Sequence, residues 1–246
     1  WRESMLNEIR YISDSDKTIR YVIGAQLVNV DMDDILPIMI NGYFFPNANG
    51  RVPGATADNV LAGLPLSTGI ENNTPFLPFV LNSGYTARTI DALGIYAQVN
   101  WDITPTTELT MAYRRDEDKR DWYEKETGDF EKRTWSAGMP KVSISHDLSD
   151  ESMIYATAAK GWRSGGWNKI ASDTDITDFS ILFEEEEIWS YEIGYKSTFN
   201  DGKGVFNVAV FNQDVENHQH FVFIASAGGQ ITTNIPEGEV DGIEIE

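Results

Sequence analysis

Few residues of this 246-residue chain belong to types that do covalent or metal chemistry, and their spacing does not favour it. There is no cysteine, which excludes a thiol nucleophile, a zinc-thiolate centre and a disulfide scaffold. Of three histidines, His218 and His220 flank Gln219, a spacing that puts two imidazoles on one side of a strand as metal ligands sit. No Cys and no third His stands near to complete a ligand set, so the pair reads as a solvated loop edge. The run Glu184-Glu185-Glu186-Glu187, with Asp173, Asp175 and Asp178 upstream, offers charge to a cation, but such runs are usually solvated loop. The glycines between Gly161 and Gly166 lack the Gly-Lys-Ser/Thr ending of a phosphate loop. Acids are abundant, yet nothing positions a pair for glycoside hydrolysis. The expectation is therefore a protein that is not an enzyme, with no catalytic residue, no metal site and no cofactor.

Recognition is the chemistry that remains. Tyr43, Phe44 and Phe45 lie in one long connection, and Trp162, Arg163 and Trp167 lie near another. Aromatic rings supply large, rigid contact area, and arginine grips anionic groups such as carboxylates. These six are the candidate ligand-binding residues.

The framework that carries them is bounded by composition. Nineteen Lys+Arg against thirty-nine Asp+Glu give a net charge of −20, the opposite of what a nucleic-acid binder assembles. Mean hydropathy is −0.34, and no apolar run approaches the roughly 18 residues a membrane helix needs. A membrane β-barrel stays open, because its strands dilute apolar residues with polar ones. The chain opens Trp1-Arg2-Glu3-Ser4 without Met or an apolar leader, so it is expected to be processed or part of something longer.

The dominant periodicity is two. Leu93, Ile95, Ala97, Val99, Trp101 and Ile103 share one face, while Gly94, Tyr96, Gln98, Asn100 and Asp102 share the other. Tyr21–Leu27, Trp189–Tyr195, Phe206–Val210 and Val142–Leu148 repeat the pattern, with His146 breaking the last apolar row. Tight-turn residues occupy 13–17, 104–107, 149–151 and 200–203. Long connections are expected at 32–83, 116–133, 163–186 and 217–229. Short and long alternate strictly, so in a meander all long connections leave from one end, the habit of outer-membrane barrels. Trp101, Tyr11, Tyr155, Phe199, Trp189 and Tyr191 lie where interfacial girdles would form. Arg20, Gln26, Gln98, Asn100, Lys141, Glu192 and Lys196 suit a wet lumen better than a packed core. The apolar face then meets either lipid or a second sheet of a sandwich; the loop asymmetry favours lipid.

Several stretches together resemble the barrel of TonB-dependent outer-membrane receptors. They are Asn7-Glu8-Ile9-Arg10-Tyr11, Tyr21-Val22-Ile23-Gly24-Ala25, Tyr96-Ala97-Gln98-Val99-Asn100-Trp101 and Pro140-Lys141-Val142-Ser143. Ile154-Tyr155-Ala156 follows, running into 160–168, then Ser190-Tyr191-Glu192-Ile193-Gly194-Tyr195-Lys196-Ser197, 207–211 and 240–246. The resemblance implies an all-β fold: an antiparallel up-and-down transmembrane β-barrel, here an incomplete portion of about ten strands of a 22-stranded wall. It implies a single barrel domain over 1–246 with 32–83 as a long extracellular loop within it. It implies the outer membrane of a Gram-negative bacterium, lipid and lipopolysaccharide around the wall, and a small solute as ligand. It also implies coupling to the TonB complex through a plug domain that nothing in this sequence matches. The expected function is uptake of a scarce solute: a ferric siderophore, cobalamin or an oligosaccharide. A passive porin and a secreted carbohydrate-binding β-sandwich are the competing readings. Asn72-Asn73-Thr74 has the form of a glycosylation sequon, idle on a bacterial surface.

Overall fold

The computed structural model describes the backbone of residues 1–41, 78–124, 128–168, 182–224 and 229–246. Among the described residues every regular element is a strand: β1 (Arg2–Ile12), β2 (Ile19–Asn41), β3 (Pro78–Thr104), β4 (Thr107–Glu124), β5 (Phe130–Ser149) and β6 (Ser152–Arg163). The two-residue strands β7 (Gly166–Trp167) and β8 (Leu182–Phe183) follow, then β9 (Glu186–Phe199), β10 (Gly204–Ile224) and β11 (Gly229–Ile245). The long strands form one nine-stranded sheet in the order β1-β2-β3-β4-β5-β6-β9-β10-β11, and β7 pairs with β8 as a separate ribbon. Each long strand thus lies beside its neighbour in the chain, as a meander requires, and the described chain has no second packed layer of the kind a sandwich needs.

Two compact units divide the chain. The larger comprises Arg2–Met32, Arg88–Trp122 and Phe130–Glu246. The smaller comprises Trp1, Asp33–Ala87 and Tyr123–Asp129. In the smaller unit Trp1 and Asp33 exchange backbone hydrogen bonds at 2.9 and 2.8 Å. There too the Glu124 N–H donates to the Asp129 carbonyl at 2.8 Å, and the Gly128 N–H to the Glu124 carbonyl at 2.9 Å.

All four tight turns fall where the turn residues stand. At the β9–β10 reversal Asn200, Asp201 and Gly202 have φ of 61°, 57° and 78°. Asn, Asp and Gly are the residues that tolerate this left-handed region. We expect Asn200→Val to cost about 1–2 kcal/mol, and Asn200→Gly to be near neutral, in urea unfolding of the protein.

The opposite end differs from expectation. Strands β4 and β5 run to Glu124 and from Phe130, and β10 and β11 run to Ile224 and from Gly229, through the stretches 116–133 and 217–229 that read as loops. Likewise β2 reaches Asn41 and β3 begins at Pro78, inside 32–83; residues 42–77 lie outside the described residues. In β4 the extension Asp116–Asp121 is polar on both faces, so it lacks the contrast that reveals a strand in sequence.

In the larger unit, alternation sorts the side chains into two faces. On one face Ile193 is 67% exposed, Val210 54% and Ile243 68%, although all are apolar and lie in the middle of paired strands. Among the described residues the buried hydrophobic side chains are only Val30, Trp135, Ala137 and Ile231. A chain of this size folding in water would bury far more, at about 25 cal/mol per Å². The described residues leave this apolar face uncovered. It turns polar toward the long-connection end, at Asn29 and Asp91 (2.7 Å), at Lys160 and Glu187 (2.7 Å), and at Asn212 and Asp241 (2.8 Å).

The other face is polar and laced with side-chain hydrogen bonds. Arg20 makes a two-pronged pair with Asp102 at 2.5 and 2.7 Å and reaches Glu108 at 2.5 Å. The Asn100 amide donates to Glu108 and Thr110, both at 3.0 Å, and Gln98 donates to Asn100 at 2.8 Å. Tyr155 also belongs here, not to an outward girdle. It stands opposite Gly194, donates to Glu192 at 2.5 Å, and has the Lys196 ammonium 5.2 Å from its ring centre. The stacked pair Trp189 and Tyr191, with centroids 6.1 Å apart, does stand on the apolar face, with Ile193. His146, on the same face as Val142 and Ile144, is satisfied by Thr107 at 2.9 Å.

Candidate functional site

The polar face concentrates its charged and aromatic groups at the long-connection end of the larger unit. Three successive inward positions of β4 carry Asp116, Asp118 and Arg120, and the next below carries Arg114. Period-two geometry stacks all four side chains on one face. Arg114 donates to Asp116 at 2.6 Å and to Gln26 at 3.0 Å. A recess of about 230 Å³ opens beside them, walled by Gln26, Val28, Gly94, Asp118 and Ser164, among others.

After β6 ends at Arg163 the chain turns inward through Ser164, Gly165, β7 and Asn168, and β8 pairs back onto it. We call this turn the strap. Its backbone groups are met by side chains of the wall. The Arg120 Nη1 donates to the Gly165 carbonyl at 3.0 Å. Gln219 donates to the Ser164 carbonyl at 3.0 Å and to the Glu184 carbonyl at 2.9 Å. Asn168 and Thr232 bond reciprocally at 2.7 and 2.6 Å. Asn234 accepts from the Glu184 N–H at 2.8 Å and donates to its carbonyl at 3.0 Å.

Trp135, 2% exposed, forms the aromatic floor. Trp167 meets it edge-on, with centroids 5.3 Å apart at 72°. The guanidiniums of Arg120 and Arg133 lie 5.8 and 5.5 Å from its ring centre, within cation–π range. Arg133 also pairs with Glu184 at 2.8 Å. Arg163, more than half exposed, pairs with Glu186 at 2.9 Å. Glu186 in addition accepts from the Gln219 N–H at 2.6 Å and stands 3.0 Å from His218 Nδ1. The left-handed Asn217 opposite Pro236, which has no N–H to donate, interrupts the β10–β11 ladder just below His218.

Arg163 stands at the start of the strap, paired with Glu186, and Trp167 lies four residues on, against Trp135. Trp162 stands opposite Glu187, on the same face as Lys160 and Ile154. Tyr43, Phe44 and Phe45 lie outside the described residues. No group of three metal-ligating side chains occurs among the described residues, and His218–His220 stays a pair with centroids 6.2 Å apart. Asp118, Arg120, Trp135, Gln219 and Asn234, which organise the strap, were not singled out from sequence. Their one sequence signal is the i, i+2 spacing of Asp118 and Arg120 in a charge-rich strand.

A greasy outward face, a charged inward face and inward-folded connections at one end are the arrangement of a membrane receptor wall. The family model described as TonB dependent receptor-like, beta-barrel matches residues 16–246. The chain belongs to the TonB-dependent receptor family. The pesticin receptor of Yersinia enterocolitica is 23% identical over 180 residues, covering 71% of this chain and 25% of that protein. Among solved structures, the ferric yersiniabactin uptake receptor FyuA of Yersinia pestis superposes with a TM-score of 0.62 at 15% identity, over 99% of this chain and 32% of that one. The copper transporter OprC superposes with a TM-score of 0.67 at 12% identity, over 99% of this chain and 35% of that one. The chain spans about a quarter of the length of the curated relatives it matches. TonB-dependent receptor barrels are outer-membrane proteins, and the described sheet is a portion of such a barrel.

Proposed function

We propose that this chain is part of the wall of an outer-membrane receptor that takes up an anionic ferric chelate with energy supplied through TonB. The observation that carries the reading is the strap on the polar face, whose start bears a half-exposed arginine, Arg163, paired with Glu186, and whose body bears Trp167, packed edge-on against Trp135. An arginine fork grips carboxylate or phenolate oxygens, and a tryptophan ring gives rigid area for the rest of a chelate. Relatives named for pesticin and for ferric yersiniabactin support a siderophore as the solute class. Arg163 and Trp167 are its primary contacts, with Tyr43, Phe44 and Phe45 as further ones; Trp162, on the face it shares with Ile154, is set apart from them. The exposed apolar face contacts outer-membrane lipid and lipopolysaccharide.

Two measurements test this on the full-length receptor. Uptake of ferric yersiniabactin or ferric citrate by cells carrying it should vanish when TonB is deleted; uptake that persists supports a passive porin instead. Arg163→Ala and Trp167→Ala should each weaken binding of the chelate that is taken up by about tenfold, the equivalent of 1.4 kcal/mol. Unchanged affinity in both variants overturns the assignment of the contacts.

A further inference from the structure

We propose that Asp118 and Arg120 are positioning residues: together they clamp the strap to the inner wall and so determine where Arg163 and Trp167 stand. The functional half of this inference rests on the solute-binding reading above; the structural half does not.

The geometry of the clamp is specific. Ser164 and Gly165 lie between the two proposed contacts in the chain, and Arg120 touches both of them. Its Nη1 holds the Gly165 carbonyl at 3.0 Å, and its Nη2 donates to the Ser164 hydroxyl. The Ser164 hydroxyl in turn donates to Asp118 Oδ2 at 2.5 Å. That same oxygen accepts from Arg120 Nε at 3.0 Å and Nη2 at 2.7 Å. Asp118 is 8% exposed and Ser164 7%, so the triangle is shielded from water, where charge-assisted bonds are strongest.

The clamp also governs the ring. The Arg120 guanidinium lies against Trp135, and Trp135 is the surface that Trp167 meets edge-on. The strap passes so close that a Cβ added at Gly165 would stand 2.4 Å from the Phe183 carbonyl oxygen and 2.6 Å from Trp135 Nε1. Backbone on one side of Trp167 and ring on the other are therefore both referred to one guanidinium. Of the other anchors, Gln219, Asn234 and the Asn168–Thr232 pair are neutral amide and backbone bonds, each worth less than a charge-assisted one, and the Arg133–Glu184 pair holds the β8 side and touches neither Ser164 nor Gly165. Because β4 is paired on both sides within the sheet, Asp118 and Arg120 sit on a rigid element, as positioning groups must.

The test uses the full-length receptor in detergent micelles, with Arg120→Ala, Asp118→Asn and, as a displacement that leaves the charges intact, Gly165→Ala. Heat-modifiable gel mobility confirms that each variant retains its barrel. Amide hydrogen exchange at 164–168 should speed up at least about tenfold in all three, while exchange at 190–196 in β9 stays as in the parent. Unchanged exchange at 164–168 in Arg120→Ala overturns the clamp. Binding of ferric yersiniabactin and ferric citrate is then measured in a double-mutant cycle. Arg120→Ala should weaken binding about tenfold in the parent but less than about twofold once Arg163 and Trp167 are already alanine. Additive losses would mean that Arg120 touches the chelate itself, and overturn the positioning role. A parent receptor that binds neither probe refutes the choice of solute class, and the exchange data decide the clamp regardless.

Discussion

Ile193→Arg in the full-length receptor is expected to lower barrel stability by about 2–4 kcal/mol, the cost of an arginine on the lipid face near the bilayer midplane. Ser190→Arg, on the same strand but the opposite face, is expected to change it by less than about 0.5 kcal/mol. The difference follows from where the two side chains point. Ile193 is 67% exposed and shares its face with Val210, directly across the ladder to β10, and with Ile243 beyond it on β11. These three make no core, and on the proposed reading their partner is the hydrocarbon of the membrane. Ser190 lies on the polar face with Glu192, where an added guanidinium stays hydrated. Folding equilibria in lipid vesicles, with gel mobility as the readout, separate the two outcomes. Equal effects at both positions would contradict the two-faced wall.

Gly194→Val should cost about 2–4 kcal/mol, combining overpacking with loss of a hydrogen bond to a charged group. A Cβ at Gly194 would lie 2.4 Å from Cε1 and Cζ of Tyr155, which stands directly opposite on β6. The ring cannot simply swing aside, because its hydroxyl donates to Glu192 at 2.5 Å and Lys196 lies over its face. A glycine is needed at this position for space alone. The same relation recurs where Tyr96 covers Gly24 and Phe211 covers Gly242. Tyr155→Ala should be tolerated better than Gly194→Val, and the double variant should recover part of the loss. A Gly194→Val receptor as stable in urea as the parent would refute the account.

The tight turns and the membrane-level strands were readable because each carries a local signal. At Asn200-Asp201-Gly202 the residue types match the left-handed backbone they adopt. From Leu93 to Ile103, lipid on one side and a polar interior on the other impose an uninterrupted alternation. The extension of β4 carried no such signal. Arg114 to Glu124 has polar groups on both faces, and only pairing with its neighbours reveals a strand there. Tyr155 was assigned outward by its proximity to a turn, whereas its register opposite Gly194 sets it inward.

The receptor family was legible in the resemblance of several stretches taken together; local periodicity and turn chemistry by themselves determined two things, strands with one apolar and one polar face and the tight turns that join them. Both properties arise from contacts with solvent or lipid, or from backbone preferences spanning a few residues, so they are written consecutively along the chain. The strap was decided by tertiary structure alone. Arg120 reaches Gly165 across 45 positions, Gln219 reaches Ser164 across 55, and Asn168 reaches Thr232 across 64. Pairs so distant leave no local pattern, because what joins them is the register of the sheet between them.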